Sequence, residues 1–195
     1  MNTLAINRPE RIAAVEYLRR KGTDAPASRI VAGLRSTFQR FEQAIDAVPE
    51  ALRARSPEAG AWSVHEIVDH LVETHRRAVR ELEDLCAGRS PSEGPIPARL
   101  RSGDPNARSW PSLVRELKDI HASVLTLVAS AGDGATTAMA PFVMVVKVDG
   151  PNGPETLEWI ESLDWKAYAQ ALRVHTHEHG LQVERTVAAV TRGDD

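Results

Sequence analysis

Three histidines fall within five residues, His175, His177 and His179. They lie in a stretch, residues 164–191, whose apolar side chains recur at helical spacing. At about 100° per residue, Tyr168, Leu172, His175, His179, Val183 and Val190 share one stripe, and His177 faces the opposite way. An i, i+4 imidazole pair on the buried side of a helix is half of a metal site, because two neutral ring nitrogens one turn apart reach a common cation. Three neutral imidazoles around a divalent metal leave a position open, which marks a catalytic site and not a structural one. An open position holds water with a lowered pKa or a thiolate, and so suits metal-assisted hydrolysis or thiol transfer. No carboxylate pair shares the stripe with these histidines, which disfavours a di-iron carboxylate bundle with Glu-x-x-His on two helices.

The other histidines supply the third ligand. Six of the seven fall in two windows, 65–75 and 175–179. His65-Glu66 followed by His70 is not a zinc-protease motif: the two histidines are five apart, about 140° around a helix, where that motif needs them four apart on one face. Periodicity puts His75 at the centre of the apolar stripe and His70 toward its flank; it favours His75 and leaves His70 open. His121 sits on the inward stripe of its own helix and reads as core. His65 and His177 read as solvated. Trp62 reads as packing at the start of its helix, Asp69 and Glu73 as surface charges. Gln182, at the edge of the stripe, suits either a hydrogen bond to a ligand or helix packing. Cys86 reads as a small apolar filler, since no neighbouring feature would lower its pKa.

These side chains need helices to carry them. The spacing predicts a short helix over residues 9–20, ended by Gly22, and a long one over 27–48 with Ile30, Val31, Leu34, Phe38, Phe41, Ile45 and Val48 inward. Ser63 and Glu66 form a capping box that opens a second long helix. Residues 88–106, rich in Pro, Gly and Ser, form a crossover loop. Ser109 caps a third long helix with Pro111 in its first turn, ended by 132–134. Residues 142–148 form a strand or extended arm, 149–154 a turn, and 155–163 a strand or a short helix, with the helix slightly favoured. The fourth long helix follows. The expected fold is all-α: a four-helix bundle with long crossover connections and a small β or irregular insertion, 135–163, between the third and fourth long helices. One domain spans residues 1–195, with 1–26 as an N-terminal extension carrying the short helix.

Composition excludes several classes. The chain has 195 residues, 42% hydrophobic and 26% charged, with a net charge of −3. That balance shows no basic field for nucleic acid, and the partner expected is a small-molecule substrate. The longest apolar run, residues 140–146, is too short for a membrane, and the first twenty residues lack a signal peptide's apolar core. A single cysteine fits a cytoplasmic protein.

The segment Trp62-Ser63-Val64-His65-Glu66-Ile67-Val68-Asp69-His70-Leu71 resembles the Trp-Ser/Thr…His-Leu/Val signature of the DinB-like family of metal-dependent four-helix-bundle proteins. His175-Thr176-His177-Glu178-His179-Gly180-Leu181-Gln182-Val183 is similar to that family's H-x3-H-x-x-Q-[IV] helix. In that family the His eight residues after the Trp and both His of H-x3-H bind the metal, so the resemblance implies His70, His175 and His179 as ligands. It implies zinc or nickel, and transfer or isomerisation chemistry assisted by a low-molecular-weight thiol such as mycothiol or bacillithiol. Hydrolysis is the second enzymatic version. The rival is a non-catalytic, stress-associated metal-binding bundle that acts as a binding or dimerising protein, since homodimers are common in the family. The stretch between Gly153 and His175 is longer than the family usually has, so the substrate does not carry over.

Overall fold

The computed structural model describes residues 8–134, 136–150 and 153–193. The first seven residues of the expected N-terminal extension, the first residue of the expected insertion and the tip of the expected 149–154 turn lie outside the described residues. Among the described residues, six α-helices and one hairpin follow in the order α1 Pro9–Leu18, α2 Ala27–Asp46, α3 Glu50–Arg53, α4 Val64–Cys86, α5 Trp110–Ala131, β1 Ala140–Gly150, β2 Gly153–Leu163 and α6 Trp165–Arg192.

The helix starts follow local chemistry. At α4 the Ser63 hydroxyl accepts from the Glu66 N–H at 3.2 Å, and the Glu66 carboxylate accepts from the Ser63 N–H at 2.9 Å, which completes the capping box. At α6 the Asp164 carboxylate accepts from the N–H groups of Lys166 and Ala167. Ser109 occupies the N-cap of α5 with extended backbone, but its side chain makes no capping bond; Pro111 in the first turn presets the helix instead.

Two expectations are corrected. The first helix does not stop at residue 20: one π turn, Arg19–Thr23, carries it past Gly22. Gly22 is there for contact and not for termination, since a Cβ at this position would lie 2.6 Å from Ala167 Cα, on the backbone of α6. Residues 155–163 are strand and not helix. They pair antiparallel with β1 from Ala140↔Leu163 to Gly150↔Gly153. Exposure alternates from Pro154 to the end of β2, with Trp159 and Leu163 inward, and the β-favouring Thr156, Trp159 and Ile160 outweigh the helix-favouring glutamates once a partner strand is present. The hairpin is tied to α1 by Arg8–Glu155 at 2.7 Å and Arg11–Glu161 at 2.9 Å, and to α6 by the edge-on ring of Phe142 against Tyr168.

The four long helices bury one another's apolar stripes. α2 packs on α5 and α6, and α4 packs on the same two, so the principal contacts put α2 and α4 on opposite corners. The core falls into two clusters. One holds Leu34, Phe38, Ala78, Leu82, Val124, Tyr168 and Leu172; the other holds Phe41, Ile45, Leu71, Val72, Leu117, Ile120 and Val183. On α4, α5 and α6 the change from one cluster to the other brackets polar residues: His75, His121, and on α6 His175, Thr176 and His179; on α2 it falls between Phe38 and Phe41, and Glu42 follows directly. Among the described residues, no helix is long and apolar enough to cross a membrane.

Candidate metal centre

α4 supplies His70 and α6 supplies His175 and His179, one turn apart on the side facing α4. Their Nε2 atoms converge: His70 and His179 each place Nε2 3.1 Å from His175 Nε2. Each offers a ligand atom within 4.8 Å of the others'. The outer nitrogens decide where the protons sit. His70 Nδ1–H donates to the Leu100 carbonyl at 2.7 Å, and His179 Nδ1–H donates to Gln182 Oε1 at 2.8 Å. A neutral imidazole carries one N–H, so both Nε2 atoms present bare lone pairs to the same point. A proton on His175 Nε2 could satisfy only one of its two 3.1 Å contacts. A cation at the centre satisfies all three. The observed spacing is close to the edges of roughly 3.3 Å expected for nitrogens at about 2.0–2.1 Å from a tetrahedral metal.

The electrostatics keep the lone pairs free. Burial lowers His70 from the ordinary imidazole value, against the raising influence of the Leu100 carbonyl and Asp69; burial lowers His175 strongly, with further lowering from His179, His75 and His70. Burial, then the charge repulsion of His70, brings His179 down to about 4. Neutral imidazoles at neutral pH are the form that binds metal.

The loop after α4 is stapled along that helix and thereby delivers the Leu100 carbonyl. Arg77 pairs with Glu93 at 3.1 Å, Arg101 with Glu66, and Arg108 with Glu73 at 3.2 Å. Asp69 Oδ2 accepts from the Ser102 N–H at 2.8 Å. Asp69 is therefore not a surface charge: it is 0% exposed, with Arg108 3.9 Å away. Glu73 likewise binds Arg76 and Arg108 in a partly buried network that includes Glu116. His65 is not solvated either; it is 8% exposed and packs against the Trp110 ring. His177 is exposed, as expected.

Trp62 does more than pack the start of α4. Its ring lies 5.0 Å from His70 and 6.3 Å from His179, and the Arg101 guanidinium stands over it at 5.0 Å. Of the two readings of Gln182, the structure takes the hydrogen bond to His179. His75, which periodicity favoured for the cluster, stands behind it, with Nε2 3.3 Å from His175 Nδ1. His121 is core, stacked on Phe38 with centroids 3.8 Å apart and donating Nδ1–H to Glu42 at 2.7 Å. Periodicity missed the loop carbonyl and Asp69 because neither carries a spacing signal: both are set by the loop that folds back along α4.

A helical bundle that brings three imidazole nitrogens from two helices to one point defines a class of candidate metalloprotein. The DinB superfamily model matches residues 33–183, and the chain belongs to that superfamily. The fold is similar to that of YfiT from Bacillus subtilis, described as a probable metal-dependent hydrolase with an unusual four-helix bundle topology. The two share 15% identity, with a TM-score of 0.53 over 86% of this chain and 87% of that one. No curated protein matches the chain.

Proposed function

We propose that this protein is a metal-dependent enzyme in which His70, His175 and His179 hold one divalent cation, zinc or nickel. The observation that carries the reading is the meeting of three Nε2 atoms whose two outer members are fixed as lone-pair donors by Leu100 and Gln182. An all-imidazole donor set suits zinc and nickel. When bound, such a cation supplies a Lewis acid that keeps a thiol or a water ionised at neutral pH. The chain's own part is positioning: Trp62 and Arg101 border the cluster and offer an aromatic face and a cation to a small-molecule substrate. Asp69, the carboxylate beside His70 in sequence, accepts from the Ser102 N–H at Oδ2, while its Oδ1 is buried 3.9 Å from Arg108 without a hydrogen-bond partner. Transfer or isomerisation with a low-molecular-weight thiol, the chemistry the family resemblance implies, asks for no general base from the chain, because the thiol arrives as its own nucleophile; hydrolysis needs one. Hydrolysis remains the second enzymatic reading, supported by the description of YfiT.

Elemental analysis of the purified protein should give about one divalent metal per chain, lost in His175→Ala and His179→Ala. Full metal content in both variants overturns the reading. Thiol consumption with an electrophilic fluorogenic probe, measured with and without chelator, separates transfer from hydrolysis.

One observation favours an additional binding role. Val145 and Ile160, 47% and 50% exposed, lie on the outward face of the hairpin, where their register puts them on one side of the sheet. A homodimer through that face predicts a sedimentation coefficient that falls to the monomer value in Ile160→Lys, and an unchanged coefficient refutes it.

A further inference from the structure

Behind the three converging nitrogens, hydrogen-bonding side chains from all four long helices meet near the boundary between the two halves of the core: Glu42 on α2, His75 on α4, His121 on α5 and His175 on α6. His75 and His121 are 0% and 1% exposed. Burying two imidazoles against Phe38 is costly unless their nitrogens are paired. Two of the four are paired: His121 Nδ1 with Glu42 at 2.7 Å, and His75 Nε2 with His175 Nδ1 at 3.3 Å. The other two, His75 Nδ1 and His121 Nε2, are buried without a partner, on rings whose centroids are 5.7 Å apart.

The protons in this layer follow from its outer end. The Glu42 carboxylate accepts and cannot donate, so His121 carries its proton on Nδ1 and leaves Nε2 as an acceptor. At the inner end, His175 must leave Nε2 bare to act with His70 and His179, so its proton sits on Nδ1 and is donated to His75 Nε2. His75 then carries its own proton on Nδ1. The two orphans are thus a donor on His75 and an acceptor on His121, a complementary pair on neighbouring rings.

We propose that Glu42, His121, His75 and His175 form one continuous hydrogen-bonded chain, with the His75 and His121 orphans joined directly or through one enclosed water, and that His75 is the positioning residue that fixes the tautomer and ring orientation of the His175 ligand. The chain does for His175 what the Leu100 carbonyl does for His70 and Gln182 does for His179. Its special feature is reach, because the anchoring carboxylate lies on a helix that supplies no ligand. Phe38, stacked on His121 and tilted against His75, packs on both rings and restrains their orientation. The proposal rests on the metal reading above.

The test uses the full chain, with zinc alone as probe. Long-range nitrogen–proton NMR of the imidazole rings in the zinc-loaded protein should show His75, His121 and His175 all protonated on Nδ1. His75→Phe should lower zinc affinity roughly 10–100-fold in chelator competition. His75→Gln, which keeps an acceptor for His175, should recover part of that loss. Glu42→Leu, at a partly exposed position that touches no ligand, should weaken zinc by a smaller factor, and Glu42→Gln should not. A His75 ring protonated on Nε2, or unchanged zinc affinity in both His75→Phe and Glu42→Leu, overturns the chain while leaving the metal site standing. A wild-type protein that takes up no zinc or nickel overturns the metal reading itself.

Discussion

Mild acid should destabilise the metal-free protein well before its ordinary carboxylates titrate. Burial holds His179 at about 4 and lowers His70, His75, His121 and His175 in the same direction. In the unfolded chain each returns to about 6.5. Between the two values the unfolded state binds more protons, so stability rises with pH and is lost as pH falls below about 6.5. For His179 alone, 6.5 unfolded against about 4 folded amounts to about 2 kcal/mol at pH 5 and roughly 3 kcal/mol when complete. The other four histidines add to this with the same sign. Glu81 opposes it, because burial raises its carboxyl and a raised folded carboxyl favours the fold as pH falls. Against a total stability of roughly 5–15 kcal/mol, the histidine layer is a large fraction. Urea unfolding of chelator-treated protein, followed by circular dichroism between about pH 7.5 and 5, measures the slope directly. A midpoint that does not move across that range would show the histidines to be hydrated or already protonated, and the argument from their burial would fail.

Two further outcomes are expected. Gln182→Leu removes the acceptor of His179 Nδ1–H and should cost roughly tenfold to a hundredfold in metal affinity, whereas Gln182→Glu keeps an acceptor and should retain binding; equal affinities in chelator competition would refute the role. Gly22→Ala places a methyl 2.6 Å from Ala167 Cα, on backbone that cannot turn aside, and should lower stability by about 1–3 kcal/mol; an unchanged melting temperature would refute the close approach of the π turn to α6 as the reason for glycine here.

Helical periodicity was enough to find all four long helices, because each buries a single stripe against its neighbours. It was not enough for residues 155–163, whose glutamates fit a helix until β1 supplies hydrogen bonds along their whole length. The same limit appears around the site. His175 and His179 were legible from spacing within one helix. Choosing His70 over His75 was not, since both are buried on α4 and they differ in which side of His175 they meet: His70 at Nε2, His75 at Nδ1. The resemblance of the Trp62–Leu71 segment to its family pointed to His70, and the structure brings that residue to the cluster. Asp69 and His65 were misread as exposed because the long loop and Trp110 that cover them come from elsewhere in the chain.

The amino-acid order by itself determined the helices, their caps and the turn-spaced histidine pair, since these depend on residues within a few positions of each other. Only the tertiary structure decided which nitrogens meet and which protons they carry. Those outcomes depend on Leu100 in a distant loop, on Gln182 across one turn, and on His75, His121 and Glu42 from three separate helices. A lone pair is aimed by the partner on the far side of its ring, and that partner is chosen by packing and not by spacing.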